Sequence, residues 1–225
     1  MGFDFTIRTK QDLADAVEAF GIVPLFRNSI PGFSAEEHTA PEVWFPDEGE
    51  GIWEWKGPVI RETGCAYGKL FEKKAAFVSR TWFPDLANHR RDGYDFDARF
   101  DDGLASYDDR TLFELVDGSA PVLSRELKRL GNYGKGGRKG FDTCMNRLQE
   151  QCYVVISDFV YQMDRYGRQY GWGVAEYSTP EKLMGGAFTD NVYLRSPEES
   201  HARLYEHLRD LLPHADGDSI RRFLK

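Results

Sequence analysis

A run of aspartates between residues 92 and 102 is the densest group of potentially reactive side chains in the sequence. Five fall within eleven residues, at positions 92, 95, 97, 101 and 102. Closely spaced carboxylates can act as general acid and general base, or supply oxygen ligands to a metal ion. The run lacks the twelfth-position glutamate and the other spacing of an EF-hand. We favour a polar linker whose aspartates cap helices or pair with arginines; a metal-dependent small-molecule enzyme is an open alternative. Asp95 and Asp97 are the candidate catalytic carboxylates.

The sequence Gln-Glu-Gln at positions 149–151 is the second place where chemistry is conceivable. A side-chain amide can orient a water molecule, which makes Gln151 a third catalytic candidate. The motif lies at the end of a predicted helix, where glutamines are commonly exposed to solvent or hold DNA phosphates. The three cysteines, Cys65, Cys144 and Cys152, form no Cys-x-x-Cys pattern and have no histidine close in sequence, so we predict buried thiols in a reducing compartment.

Basic residues are concentrated in one part of an acidic chain. Residues 125–170 hold nine Lys/Arg against five Asp/Glu, although the formal net charge of the chain is −8. A basic region on an acidic protein is typical of a surface that meets phosphate. The predicted nucleic-acid contacts are Lys128, Arg129, Lys135, Arg138, Lys139, Arg147, Arg165 and Arg168, with a flanking patch of Lys69, Lys73 and Lys74. A solvated basic face that binds nothing is the alternative.

Tryptophans are interspersed in or near the acidic, proline-containing segment between residues 34 and 51. Acidic loops that carry tryptophans usually fasten onto a protein core, which is the favoured interpretation. The alternative is a platform on which nucleic-acid bases stack, with Trp53 and Trp55 as its rings.

Residues 108–178 are predicted to form three helices followed by a two-stranded ribbon. Apolar spacing and helix-stop residues place the helices at 108–116, 121–130 and 141–152. Residues 153–156 and 171–177 are rich in β-branched and aromatic residues, and 164–168 supply a turn between them. This order is that of a winged helix, whose third helix and hairpin tip meet DNA. Winged helices also serve as protein-interaction modules, which is the rival function.

The whole chain is predicted to be an α+β protein in three parts. Residues 1–104 form a mainly helical and loop region, 105–179 the winged helix, and 180–225 a C-terminal helical tail that folds back on the body. Thr9 to Asp12 and Ser196 to Glu199 are helix-opening sequences. The boundary is placed near Gly103.

The segment from Lys69 to Pro84, KLFEKKAAFVSRTWFP, resembles in its apolar pattern and closing proline a signature of the AlkZ/YcaQ family of winged-helix DNA glycosylases. Residues 111–177 look like the next winged helix of that family. The resemblance implies a bacterial DNA-repair protein that cradles duplex DNA and is related to enzymes that excise alkylated bases or unhook crosslinks. Those enzymes position water with an early Gln-x-Gln or Gln-x-Asp motif, whereas residues 19–26 here contain no glutamine. Lys73 stands where the family has a histidine, so the chain is expected to be a reduced or non-catalytic relative.

The composition is that of an ordinary globular protein. Of its 225 residues, 41% are hydrophobic and 29% are charged. No apolar run approaches the roughly 18 residues of a membrane span, and the N-terminal residues do not resemble a secretory signal. We therefore expect a cytoplasmic location and no membrane contact. From the basic segment and the resemblance, the expected partner is double-stranded DNA, with a protein partner as the alternative, and we expect no cofactor or metal.

Overall fold

The computed structural model describes residues 2–46, 48–167 and 169–225. Its first part contains a three-stranded antiparallel sheet in the order β1-β3-β2. Helix α1 opens with the predicted capping box, in which Thr9 accepts from the amide of Asp12 and the Asp12 carboxylate accepts from the amide of Thr9. The elements are α1 (Lys10–Phe20), β1 (Ile22–Pro24), α2 (Pro41–Trp44), α3 (Ile52–Thr63), β2 (Ala66–Phe71), β3 (Lys74–Val78) and α4 (Phe83–Arg91).

Residues 66–78 lie within the region predicted to be mainly helical, and they form the hairpin β2–β3. The turn consists of Glu72 and Lys73, both with positive φ (49° and 60°), as a tight two-residue hairpin turn requires. Such turns are usually signalled by Asn-Gly or Gly-Gly, and neither pair is present. Lysine and glutamate favour helices, and apolar residues at 67, 70, 71 and 78 also fit helical spacing. The local sequence therefore does not indicate the hairpin.

The middle of the chain follows the order two helices, a short strand, two helices and two long strands. Its elements are α5 (Phe96–Asp101), α6 (Tyr107–Ser119), β4 (Val122–Leu123), α7 (Ser124–Leu130), α8 (Phe141–Glu150), β5 (Val155–Met163) and β6 (Gln169–Ser178). The three predicted helices are confirmed. The second helix, however, begins at Ser124 because residues 122 and 123 pair with β6, which gives a second antiparallel sheet in the order β4-β6-β5.

The C-terminal part packs back on α4, as predicted. It contains α9 (Pro180–Met184), α10 (Gly186–Thr189), α11 (Pro197–Leu211) and α12 (Gly217–Leu224). The Asp85 side chain on α4 is 4% exposed and accepts hydrogen bonds from Ser200 Oγ and Arg203 Nε of α11, both at 3.0 Å. Phe223 of α12 stacks on Phe71 of β2, with ring centroids 4.4 Å apart. Residues from all three predicted parts thus contribute to one hydrophobic core.

None of the helices in the described part of the chain has both the length and the apolar character that crossing a bilayer requires. The chain is an α+β protein with two small antiparallel sheets, in agreement with the predicted fold class.

Acid should destabilise the α4–α11–α12 contact through His89. Burial, with help from the neighbouring His201 and Arg90, lowers the pKa of His89 to about 4, while Nε2 lies 3.2 Å from the carbonyl of Leu224. The carbonyl accepts, so the neutral ring donates through Nε2. Since the pKa is near 6.5 in the unfolded chain, the unfolded state gains the proton first, and stability falls as pH drops from 6.5 towards 4.

We expect this histidine to account for a loss of about 1–2 kcal/mol, discounted for the exposed part of the ring. Urea unfolding at pH 7 and pH 4.5 measures it. The variant His89→Gln, which keeps a donor for the carbonyl, should lose less stability over that interval than the unmodified protein. Equal losses would show that other groups cause the acid sensitivity.

Candidate nucleic-acid interface and adjoining clefts

The hairpin β2–β3 holds the first basic patch beside helix α8. Lys69, Lys73 and Lys74 are exposed, although Lys74 Nζ donates to the carbonyl of Arg27 at 2.8 Å. The amide of Lys69 donates to Oε1 of Gln149 on α8 at 3.1 Å. This bond joins the first sheet to α8, so Lys69, which was predicted from a separate segment, lies near the C-terminal end of that helix.

The cations of α7 and of the loop before α8 differ in whether they form ion pairs. Lys135 and Lys139 are exposed and have no ion pair within the described part of the chain. Other predicted contacts already have carboxylate neighbours: Lys128 lies 3.6 Å from Asp142, Arg129 lies 3.6 Å from Glu126, and Arg138 lies 3.9 Å from Asp108. These three pairs are solvent-exposed, so they hold the side chains weakly and leave them available for phosphate.

Arg147 differs from the other predicted contacts, because its guanidinium is occupied inside the protein. Its Nε and Nη2 donate to both oxygens of Asp109, at 2.6 to 3.0 Å, and this contact raises the pKa of Arg147. Asp109 is 4% exposed and also accepts from Ser106. The bidentate pair fastens α8 to α6, which gives Arg147 a structural role that the sequence did not indicate.

The β5–β6 ribbon projects from the body at its turn. Strand β5 is buried at its first three residues and becomes mostly exposed towards Met163, which is 58% exposed. Arg165 lies at the tip with its guanidinium 4.6 Å from the ring centroid of Tyr166. Arg168, the other predicted contact at the tip, lies outside the described residues. The ribbon thus presents a cation and several exposed apolar side chains, including Trp172, which is 73% exposed.

The two tryptophans predicted as base-stacking rings have different surroundings. Trp55 is 8% exposed and belongs to the hydrophobic core, which leaves no open face for a base. Trp53 is half-buried and contacts Trp44 and the exposed Trp172, at centroid distances of 5.8 Å for each. The favoured interpretation, that the acidic loop fastens onto the core, describes Trp44 and Trp55.

The aspartate run forms helix α5 and one side of a cleft. Asp95 caps α5 by accepting from the amide of Ala98 at 2.8 Å, and Asp97 is exposed on its first turn. Both line a cleft of about 300 Å³ with Arg91, Phe113 and Tyr153 among its other walls. Within the described residues, no group of three His, Cys, Asp or Glu side chains is placed to hold a metal ion.

The base of this cleft is a buried arginine that the sequence analysis did not single out. Arg91 is 1% exposed; it donates to Glu181 Oε1 at 2.9 Å and to the carbonyl of Cys152 at 2.8 Å, while its Nε has no partner in the described part of the chain. Its guanidinium lies 4.5 Å from the centroid of Tyr153. Nothing in the local sequence distinguishes Arg91 from its neighbour Arg90, since their contacts come from distant segments.

The two glutamines of the Gln-Glu-Gln sequence have separate places. Gln149 is 2% exposed; besides accepting from Lys69, its Nε2 donates to the carbonyl of Met145 at 3.2 Å. Gln149 is therefore a connector between α8 and β2. Gln151 follows α8 as its C-cap and lines a second cleft of about 340 Å³. The structure does not bring Gln151 and the pair Asp95 and Asp97 into one cleft.

The three cysteines are buried and free, as predicted. Burial raises the pKa of the Cys65 thiol to about 12 and that of Cys152 to about 11. Burial also raises the pKa of Cys144, with the nearby Asp109 acting in the same direction. A thiol is nucleophilic as the thiolate, so none of these environments favours a reactive cysteine.

These features define an α+β protein in which exposed cations lie around the N-terminal side of one helix and at the tip of one ribbon. A family model described as "AlkZ related" matches residues 7–225. The chain therefore belongs to the AlkZ-related family, which confirms the resemblance seen in the sequence. No curated protein and no solved structure matches the chain.

Proposed function

We propose that this protein binds double-stranded DNA through residues 107–178, arranged as a winged helix. The support is the order of elements: α6, β4, α7 and α8 are followed by β5 and β6, and the three strands form one antiparallel sheet. In winged helices of this order, the third helix enters a groove and the strand turn contacts the adjoining backbone. Helix α8 and the β5–β6 ribbon occupy those positions.

The observation that carries the proposal is the placement, on an acidic chain, of exposed cations that form no ion pair within the described residues. Lys135 and Lys139 precede α8 and Arg165 stands at the ribbon tip, all three exposed. The protein has a net charge of −8, so its overall charge repels DNA. Binding therefore requires cations that are concentrated where the DNA backbone contacts the protein. Phosphate contacts from these residues would set the position of α8 in the groove.

The outer face of α8 offers groups that could read bases. Its apolar residues Phe141, Met145 and Leu148 face the core, and Asp142, Thr143 and Asn146 lie on the more exposed side. Hydroxyl and amide side chains are typical base readers in the major groove. Their neighbour Asp142 would repel phosphate, so the cations of the preceding loop must supply most of the electrostatic attraction.

Excision of an alkylated base is the second candidate function, favoured by the family and by the cleft at Asp95 and Asp97. A cationic alkylpurine would be attracted by these carboxylates and by the partly exposed aromatic ring of Phe113. A carboxylate in that place could orient a water molecule towards the glycosidic carbon. The leaving base is already positively charged, so a site with few catalytic groups can suffice.

One experiment separates these functions. Binding of the purified protein to a fluorescent duplex is measured at 50 and 200 mM salt, beside a matched duplex that contains one N7-methylguanine. We expect affinity to fall steeply with salt for both duplexes. Release of the modified base would add base excision to DNA binding, and its loss in Asp95→Asn or Asp97→Asn, with binding retained, would assign the catalytic carboxylate.

The absence of binding at 50 mM salt would contradict the proposal. It would favour the rival function, a protein-interaction module that uses the exposed ribbon, where Tyr166 and Trp172 are 67% and 73% exposed.

A further inference from the structure

The cleft that contains Gln151 has a marked excess of positive charge. It lies between the hairpin turn at Glu72, the ends of α4 and α8, and the C-terminal residues of α12, and its volume is about 340 Å³. Among the described residues, four cationic side chains line it, against two carboxylates; the cations are Arg90, Arg147, Arg222 and Lys225, and the carboxylates are Glu72 and Glu150. Asp109 compensates the charge of Arg147, so the other three cations supply the excess.

Arg90 is the feature of this cleft that requires an explanation. Its guanidinium lies against the buried ring of Phe71, 5.5 Å from the centroid, and forms only a long 3.4 Å hydrogen bond to the backbone carbonyl of Glu150. Its Nε is shielded from solvent and has no partner in the described part of the chain. Among the described residues, no carboxylate forms an ion pair with it.

The absence of an ion-paired carboxylate among the described residues has a physical cost. Removing a guanidinium from water is unfavourable unless an anion and hydrogen bonds replace the lost hydration. Burial correspondingly lowers the pKa of Arg90, although Glu150 opposes this effect from a distance. Arg91, the next residue, is buried more deeply and does have its carboxylate, Glu181. The comparison indicates that an anion from outside the chain completes the surroundings of Arg90.

The neighbouring cations could contact the same anion. Arg147 uses Nε and Nη2 on Asp109, but its Nη1 makes no hydrogen bond within the described residues. Arg222 is exposed at the opposite wall, where its Nη2 donates to Ser219 Oγ at 2.9 Å and no described carboxylate forms an ion pair with it. Several guanidinium groups that converge on one cleft suit a phosphate group, because each can donate in-plane hydrogen bonds to its oxygens.

We propose that this cleft is a binding site for a phosphate group, held by Arg90 at its base and by Arg147 and Arg222 at its walls. The site adjoins the C-terminal end of α8 and is separate from the cations that precede that helix. The phosphate belongs either to the backbone of bound DNA or to a free phosphate ion or small phosphate ester.

The decisive variant is Arg90→Met, compared with the unmodified protein by thermal unfolding in chloride and in inorganic phosphate at equal ionic strength. The unmodified protein should gain melting temperature progressively with phosphate concentration, as expected for a ligand that binds the folded state. The general stabilising effect of phosphate on proteins acts on both chains alike. The variant should show only that general effect.

In chloride, the same variant distinguishes an anion site from a structural arginine. A cation that is shielded from water and has no compensating anion is unfavourable, so its replacement by an apolar side chain of similar length should be neutral or stabilising. We therefore expect Arg90→Met to melt no lower than the unmodified protein. A clearly lower melting temperature in chloride, or an undiminished response to phosphate, would overturn the proposal.

A second variant keeps the test valid if Arg90→Met does not fold. Arg222→Gln changes an exposed side chain and should weaken the phosphate response several-fold. Its matched control is Arg209→Gln on α11, where the cation is exposed and lies outside the cleft. Equal effects of the two variants would show general charge screening only and would contradict a site in the cleft.

Duplex binding identifies the source of the phosphate. If Arg90→Met loses both the phosphate response and DNA affinity, the cleft holds a backbone phosphate. If DNA affinity is unchanged while the phosphate response is lost, the ligand is a free phosphate or small ester. Failure of the unmodified protein to bind DNA would contradict the proposed function without affecting the phosphate titration.

Discussion

Replacing Arg147 by methionine is expected to lower the free energy of unfolding by about 2–3 kcal/mol. The change removes three short hydrogen bonds to Asp109 and leaves that carboxylate, which is 4% exposed, without its cation. Breaking a buried ion pair from one side costs about 3–5 kcal/mol. The value here is smaller because Arg147 is 40% exposed and Ser106 continues to donate to Asp109. Urea unfolding at pH 7 measures the loss.

The double variant Asp109→Asn with Arg147→Met tests which effect lowers the stability of Arg147→Met. The two possible causes are the uncompensated charge of Asp109 and the loss of packing around Arg147. Removing the carboxylate's charge as well should recover part of the stability, because the main cost in the single variant is the uncompensated anion. A double variant no more stable than Arg147→Met would show that the cost lies in packing between α6 and α8. The same proteins test whether Arg147 contacts DNA under conditions where the variant is folded. A purely structural role predicts nearly unchanged affinity, whereas a contact between Arg147 and a backbone phosphate predicts a loss.

The role of Arg147 could not be predicted from the sequence. Its charge, its place on the third helix and the local excess of cations all suggested a phosphate contact. Its partner Asp109 is 38 positions away, and local patterns carry no information about such pairs. Gln149 was misjudged for the same reason: the sequence suggested an exposed amide, whereas the peptide amide of Lys69, 80 positions away, holds it in the interior.

Predictions that depended on short-range physics were more accurate. The capping boxes at Thr9 and Ser196 are present because their hydrogen bonds span three residues. Acidic residues at its start indicated α6. Periodic apolar residues indicated α7 and α8, because burial of one helical face repeats every three to four residues. The short strand β4 was missed, since its two residues are extended only through pairing with Tyr177 and Glu176 of β6.

In the candidate sites, too, features set by nearby residues were predicted and features set by distant residues were not. Composition located the basic segment, and the structure then distinguished its exposed cations from Arg147, whose guanidinium is bound to Asp109. The sequence also identified Asp95 as a helix cap or a catalytic group, and its cap is now seen. The importance of Arg90 could not be predicted, because it depends on two features that the local sequence does not show. No carboxylate among the described residues forms an ion pair with Arg90, and the cleft around it is built by four distant segments.

Neutralising Lys135, Lys139 and Arg165 together should weaken duplex binding by about 10- to 100-fold near 100 mM salt. Each phosphate contact releases condensed counterions and contributes about 0.9 to the slope of log affinity against log salt, so three lost contacts should reduce that slope by about 2–3. We expect the triple glutamine variant to retain its stability, because all three side chains are exposed. Fluorescence anisotropy over a salt series gives both the affinity and the slope.

The matched control replaces three exposed arginines elsewhere, Arg8, Arg209 and Arg221, by glutamine. It changes the net charge by the same amount without touching α8 or the ribbon. If affinity depended only on net charge, the two triple variants would lose the same factor and the same slope, and the assigned surface would be wrong. Only cations that displace counterions from phosphates change the slope of log affinity against log salt. A larger loss of slope in the first variant, at equal net charge, would therefore place the DNA backbone along the loop before α8 and the tip of the ribbon.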